Sequence, residues 1–365
     1  MYNVYYNSDE IRKVDTFLFC RIVSVNMNTR NNQFVLIVAI KRKLISSIDS
    51  YLAIRDELLS SPQDKARLTS IYCISEDKIY LHDNGDLPDT EDALMDGKCI
   101  ELIDMVNRLS KSKDYVFSLL HESTNSPYLC LPLLNLHANF DSLFSTIVCR
   151  SKWVLSFAAP YLSDLILCPD TWILSSSASI FEMKTVLEQL AGRQAIIKPN
   201  SLGNSLFTEF FESLSLSQLK SKIDTIRPHD REIMIQEYVK GVEYSCGVLE
   251  NKGKIEALPV AEIDIKSNIF GETIKANNLE TIVFRHDNTG VIERIKHASL
   301  KLSGVLGIKN ACRFDYIYSN KKLYFLEANP IPGLGKGSIF PKMLNEIKLS
   351  RINFIDICIS NSHGD

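Results

Sequence analysis

Apolar positions along this chain recur with two different periods, and the switches between them outline alternating strands and helices. Runs rich in β-branched residues at Asp15–Val25 and Gln33–Ile40 predict two strands, and the amphipathic stretch Ser46–Leu59 predicts a helix after them. Further strands are expected at Ala66–Ile74, Lys78–Leu81 and Tyr115–Leu120, with a helix over Lys98–Leu109 and a turn-rich loop over Asp83–Thr90. The middle region predicts a helix over Ser142–Phe157, a short strand over Gln194–Lys198, and a helix over Leu214–Ile226 that Arg227-Pro-His-Asp ends. Ile233–Val239 returns to strand, Gly241 punctuates it, and Tyr244–Leu249 with Lys254–Ile265 reads as an antiparallel pair around Asn251-Lys-Gly. Cys312–Tyr318 and Lys322–Asn329 alternate on either side of Ser319-Asn320, which predicts a hairpin, and Ile339–Ile347 reads as a helix. These elements predict a mixed α/β architecture.

The hairpin carries the chemistry. Arg313 and Asp315 are two apart on one strand and share a sheet face, as do Glu327 and Asn329 on the next, so four polar side chains can converge. Alone, each would suit an ordinary polar hairpin face. Together, Asp315, Glu327 and Asn329 offer only oxygen ligands, the set that Mg²⁺ prefers when it is shared with substrate phosphates. Pro-Ile-Pro-Gly333 follows at once and cannot continue a strand, so the chain must turn and expose backbone N–H groups there. Lys198-Pro-Asn-Ser-Leu-Gly203-Asn204-Ser205 combines a cation, a glycine and small polar residues just after a strand. It can wrap phosphates, or it can be an exposed lysine before an ordinary turn. Gly333-Leu-Gly-Lys-Gly-Ser338 misses the Walker spacing, which excludes a Walker nucleotide fold. Gln236-Glu237-Tyr-Val239-Lys-Gly-Val-Glu243 leaves a strand with a carboxylate that could accept from ribose hydroxyls.

Bulk properties narrow the class. At 365 residues the chain exceeds the usual reach of one core, so two or three domains are expected. The net charge of -3 gives no electrostatic case for nucleic acid or an anionic membrane as the main partner. Nine scattered cysteines without a C-x-x-C pair suit neither a disulfide framework nor zinc. The N-terminus lacks a basic start with an apolar core, and no apolar run is long enough to span a bilayer, so a reducing cytoplasm is the expected compartment.

In order and spacing, Lys152, Lys198, Glu243, Arg313, Asp315, Glu327, Asn329, Gly333 and Ser338 resemble the ATP-grasp enzymes of the D-alanine-D-alanine ligase branch, from about Phe117 to the C-terminus. The resemblance implies an α/β (α+β) fold of three domains, with the nucleotide held between two α+β domains: residues 1–140, 141–235 and 236–365. It implies that Lys152 and Lys198 contact ATP phosphates together with the Gly203-Asn204-Ser205 loop, that Glu237 and Val239 hold adenine through their backbone, and that Glu243 binds ribose. Asp315, Glu327 and Asn329 would hold two Mg²⁺ ions, with Mn²⁺ as an acceptable substitute. A donor carboxylate would attack the γ-phosphate of ATP, and an acceptor amine would then attack the acyl phosphate. Arg313 and the Gly333 N–H would stabilise the oxyanion, a contribution of ~3 kcal/mol per donor. Ser338, as an N-cap, would cradle the acceptor carboxylate at a positive helix end, plain capping being its other role.

The chain also departs from that family. The family's Gly-Gly-x-Ser-x-Glu motif after the first strand is absent: Phe17–Val25 leads into Asn26-Met-Asn-Thr-Arg, and Asp9 and Glu10 precede the strand. Asn204 replaces a loop serine, and Lys275-Ala-Asn stands where a substrate-side tyrosine is expected. His121 matches a strand-end histidine near the donor, though a lone histidine is more often structural. The expected activity is ATP-dependent amide formation between amino acids, or between an amino acid and a peptide. D-Ala-D-Ala ligase itself and a phosphotransferase without condensation are the alternatives. Partners would be small molecules, with neither nucleic acid nor membrane, and a homodimer stays open.

Overall fold

Phe34–Ile40 is apolar throughout because the strand it forms, β1, is covered on both faces. Phe34, Leu36, Val38 and Ile40 join one core cluster while Val35 and Ile37 join another. The computed structural model describes residues 33–40, 46–75, 78–83, 85–112, 114–120, 148–203, 205–264, 281–287 and 290–362. After β1 come α1 (Ser46–Ser60), α2 (Pro62–Lys65), β2 (Leu68–Ser75), β3 (Lys78–Asp83), α3 (Glu91–Met95), β4 (Lys98–Ile100), α4 (Leu102–Lys111) and β5 (Tyr115–Ser118). The sheet order is β4-β3-β2-β1-β5, with β2 and β5 parallel to β1. The expected helix over Lys98–Leu109 is corrected at its start. Lys98–Ile100 pairs with β3 as a strand, so the helix begins only at Leu102. The expected strand over Asp15–Val25 lies outside the described residues.

A second sheet comes from α5 (Lys152–Leu162), β6 (Thr171–Ser175), α6 (Ile180–Leu190), β7 (Ala195–Pro199), β8 (Glu209–Phe211), α7 (Leu216–Ile226) and β9 (Glu232–Glu237), in the antiparallel order β6-β9-β7-β8. Capping boxes start both α6 (Ser179, Glu182) and α7 (Ser215, Gln218). Residues of α6 and α7 pack on Ala195, Ile197, Ile233 and Ile235. Strand alternation therefore leaves Lys198 and Gln236 on the opposite face. The helix expected over Ser142–Phe157 is interrupted once: residues 148–150 are helical, Ser151 breaks the run as the N-cap of α5, and α5 continues through Pro160 to Leu162. Residues 142–147 of that expectation are not described.

The third sheet contains β10 (Val242–Asn251), β11 (Lys254–Ala257), β12 (Val260–Asp264), β13 (Thr281–Arg285), β14 (Ala311–Ser319) and β15 (Lys322–Asn329), with α8 (Gly290–Leu306) between β13 and β14, and α9 (Ile339–Glu346) and α10 (Arg351–Ser362) at the end. Leu258-Pro259 splits the single strand expected over Lys254–Ile265, and the Leu258 N–H turns to donate to Gly247 O at 2.8 Å. One face of this sheet packs against α8 and against Leu155 and Ala159 of α5. No described helix is long and apolar enough to cross a membrane.

Candidate functional site

Strand parity and one bulge bring the hairpin residues together. Along β14, Cys312, Phe314 and Tyr316 enter the core against α8, so Arg313 and Asp315 face away from it. On β15, Leu323 and Phe325 are also core residues. The register then passes over Leu326: Tyr316 pairs with Phe325, whereas Asp315 pairs with Glu327 and Arg313 with Asn329. This extra residue reverses the parity, so Ala328 enters the core and Glu327 and Asn329 join Arg313 and Asp315 on the far face.

The four side chains are in contact. Arg313 Nε and Nη2 donate to Asp315 at 3.0 and 2.8 Å, and Asn329 Nδ2 reaches Glu327 Oε1 at 3.2 Å and Asp315 Oδ2 at 3.4 Å. Ser245, opposite Asp315 on β10, donates its hydroxyl to Asp315 Oδ1 at 2.6 Å. Only knowledge of the β10–β14 register could have singled out this serine. Asp315 is 6% exposed, so its oxygens depend on these donors.

Two lysines approach from the second sheet and α5. Lys152 Nζ lies 3.6 Å from Glu327 Oε2 and donates to Leu202 O, and Lys198 Nζ donates to Gln236 Oε1 at 3.0 Å. Asn200, 2% exposed, pins the two lysine-bearing segments together. Its Oδ1 accepts from Trp153 N at 2.9 Å, its Nδ2 donates to Ser151 Oγ at 3.0 Å and to Glu232 Oε2 at 2.6 Å, and its carbonyl accepts from Lys152 N. In the following loop, Ser205 and Phe207 adopt positive φ (58° and 57°), and Gly203 O accepts from Leu206 N.

Electrostatics bind the cluster into one unit. Burial lowers the Lys198 ammonium to about 8, helped by Lys152 and opposed by Glu327 and Glu243. Burial would raise Glu327, but Lys152, Lys198 and Arg313 outweigh it and hold that carboxyl at about 2. Burial likewise opposes the charge of Arg313, and Asp315, Glu327 and Glu243 overcome it, so the guanidinium is raised. Glu243 acts on both Lys198 and Arg313, which places it beside the same cluster.

At the C-terminal end of β9, Arg193 Nη1 donates to Glu237 Oε2 at 2.7 Å and to Asp170 Oδ2 at 2.8 Å, with its guanidinium over the Trp172 ring. The Glu237 N–H is already given to Asp170 O at 2.8 Å, which leaves its carbonyl as the backbone group for a ligand there. Half-buried Val239 lies two residues beyond the end of β9. Ser338 occupies the N-cap position of α9, yet its side chain makes no capping hydrogen bond. Its Oγ lies toward Gly333, where a β-carbon would come within 3.0 Å of it. Asn204, His121 and Lys275 lie outside the described residues. Among the described residues no three of His, Cys, Asp or Glu cluster as a metal site, and the candidate set is two carboxylates and an amide.

Residues 169–360 match the family described as D-ala D-ala ligase C-terminus. The D-alanine--D-alanine ligase of Fervidobacterium nodosum is 30% identical over 196 residues, covering 52% of this chain and 61% of that protein. The chain thus spans about three fifths of that relative's length. D-alanine--D-alanine ligase A of Bacillus cereus is 25% identical over 269 residues, covering 72% of this chain and 86% of the relative. Among solved structures, the VanG D-Ala:D-Ser ligase of Enterococcus faecalis superposes with a TM-score of 0.67 at 19% identity, covering 91% of this chain and all of the other. The Bacillus anthracis D-alanine--D-alanine ligase complexed with ATP gives a TM-score of 0.65 at 19% identity over 92% of this chain and 98% of that one.

Proposed function

Because the chain belongs to the D-Ala-D-Ala ligase family, we propose that it is an ATP- and Mg²⁺-dependent carboxylate–amine ligase that forms an amide through an acyl phosphate. The observation that carries this reading is the meeting of Lys152, Lys198 and Arg313 with Glu327 and Asp315 around one point, brought there from α5, β7, β14 and β15. Phosphoryl transfer needs such positioned opposite charges more than it needs a protein nucleophile.

Lys152 and Lys198 would neutralise the ATP phosphates, with the Gly203–Ser205 loop offering backbone N–H groups. Glu243 would accept from ribose, and the backbone at Glu237 and Val239 would read adenine. Two carboxylates with an amide suit Mg²⁺, which binds through one or two carboxylates and completes its shell with substrate phosphates and water. Asp315, Glu327 and Asn329 would hold the two ions, Asn329 by turning its amide so that Oδ1 replaces Nδ2. When bound, the metal neutralises charge developing on the transferred phosphoryl group. Arg313 and the Gly333 N–H would stabilise the oxyanion formed when the amine attacks. The Ser338 hydroxyl, free of a capping bond, would take the acceptor carboxylate at the N-terminus of α9.

The family's donor motif follows the first strand, and the first described strand of the first sheet is β1. Lys41-Arg-Lys-Leu-Ile45 comes next and holds no carboxylate, like the segment after Val25. The donor is therefore read as an amino acid or related carboxylate bound differently from D-alanine. The relatives' names keep D-Ala-D-Ala ligation as the second reading and favour amide formation over simple phosphotransfer. Cytoplasmic ATP would supply the reaction.

The test is to incubate pure protein with ATP, Mg²⁺ and a panel of amino acids and dipeptides, following ADP release and identifying products by mass spectrometry. An amide product is expected. If nucleotide binds but no carboxylate–amine pair yields ADP, the ligase reading is wrong, and a phosphate ester would establish the phosphotransferase.

A further inference from the structure

The turn that carries Gly333 and Ser338 is held by side chains from elsewhere in the chain. Both backbone polar groups of Leu334 are engaged: its N–H donates to Ser50 Oγ of α1 at 2.9 Å, and its carbonyl accepts from Arg351 Nε of α10 at 2.6 Å. Arg351 is itself oriented, because Nη1 donates to Glu57 Oε1 of α1 at 2.7 Å while Nη2 reaches Gly335 O at 3.5 Å. Glu57 Oε2 also accepts from Ile352 N at 3.2 Å, so one carboxylate fixes both the Arg351 fork and the start of α10. Leu334 is 1% exposed within the core shared by α1, β1, α9 and α10. The turn continues from there to Ser338, whose N–H donates to Gly335 O at 3.0 Å.

We infer that Ser50, Glu57 and Arg351 form a positioning clamp that aligns the Gly333 N–H and the Ser338 hydroxyl, so that a helix packed on the first sheet sets the geometry of the acceptor and oxyanion loop. This rests on the ligase reading for the loop's role, but the clamp itself stands on the contacts above. A guanidinium that bonds a backbone carbonyl through Nε and a carboxylate through Nη1 is a stiff support, and Lys cannot reproduce its fork. Misplacing reacting groups by 1 Å can lower turnover about 100-fold.

The experiment compares the parent with Arg351→Lys, Glu57→Gln and Ser50→Ala, using circular dichroism to confirm folding. Amide exchange across 333–338 reports the clamp directly, and steady-state kinetics report its consequence. The expected result is at least ~10-fold faster exchange at the Leu334 amide, kcat lowered ~10- to 100-fold with acceptor KM raised, and ATP affinity within about twofold of the parent. Glu57→Asp should recover part of kcat, since it keeps the carboxylate. Unchanged exchange in all three variants refutes the clamp, and faster exchange with unchanged kcat refutes its positioning role. A parent that is inert with every carboxylate–amine pair counts against the ligase reading alone, because the exchange measurement still decides whether the clamp exists. Arg351→Lys and Glu57→Gln are chosen over alanine so that a folding defect does not replace the answer.

Discussion

Replacing Lys198 with methionine should stabilise the nucleotide-free protein at neutral pH while abolishing its hold on ATP. Burial lowers Lys198 to about 8 from an ordinary 10.5, and at 1.36 kcal/mol per pH unit the charge opposes folding by about 3 kcal/mol. That figure already includes the attraction of Glu327 and Glu243. Below pH 8 the lysine is charged in both folded and unfolded chains, so the whole penalty is present. Between pH 8 and 10.5 the unfolded chain binds a proton that the folded one does not, and stability rises with pH until the penalty has gone. Methionine removes the charge but leaves Gln236 Oε1 without its 3.0 Å donor, a loss of ~1–3 kcal/mol. A net gain of about 1 kcal/mol at pH 7 follows. Denaturant melts of both proteins in EDTA should show the variant more stable at pH 7 and no more stable than the parent at pH 10. Adding ATP and Mg²⁺ at 100 times the parent's Kd should stabilise the parent by about 2.7 kcal/mol and leave the variant unmoved. A stability difference that does not change between pH 7 and 10, or a variant stabilised by nucleotide as strongly as the parent, would refute the reasoning.

Glu327→Gln should reduce ADP release to background. Glu327 is held at about 2 against an ordinary 4.5, so it adds about 3 kcal/mol above pH 4.5 that is lost as pH falls toward 2, and the variant's acid titration should lack that decline. Ser245→Ala removes the 2.6 Å donor of Asp315 and should weaken Mn²⁺ binding in the presence of nucleotide ~10- to 100-fold by electron paramagnetic resonance; unchanged affinity would mean the hydroxyl only packs. Ser338→Ala should raise acceptor KM without moving the melting curve, because Ser338 makes no capping bond, whereas Ser179→Ala breaks a capping box and should lower stability by about 1 kcal/mol. Equal melting losses for the two serines would count against a binding role for Ser338.

Much of the frame was legible because two-fold alternation in the hairpin and the Gln33–Ile40 run leave little room for another reading. What the sequence hides is buried on all sides or depends on pairing. Helix α10 buries Ile352, Phe354, Ile355, Ile357, Cys358 and Ile359, so no polar stripe marks it as a helix. Strand β4 has too few residues to declare a period, and pairing with β3 draws Lys98–Ile100 out of the helical pattern that continues at Leu102. Asn200 and Ser245 look like ordinary polar residues until the fold shows what they fasten. Arg193 is similar, since its place at the end of β9 follows from Asp170 and Glu237, which are brought to it by the pairing of β6 and β9.

The hairpin itself shows why alternation alone is an incomplete guide to the site. Counting outward from the buried Leu323 and Phe325, strict alternation would send Glu327 into the core against α8, where an unpaired carboxylate would be strongly destabilising. Counting inward from Asn329 gives the opposite answer, and both counts can hold only if one residue is extra. Leu326 is that residue. The bulge lets β15 be a core strand where it crosses Tyr316 and carry the candidate ligands Glu327 and Asn329 where it crosses Asp315 and Arg313. A parity conflict between two well-marked faces of one predicted strand is therefore a readable sign of a bulge, and here it falls between the structural and chemical halves of the hairpin.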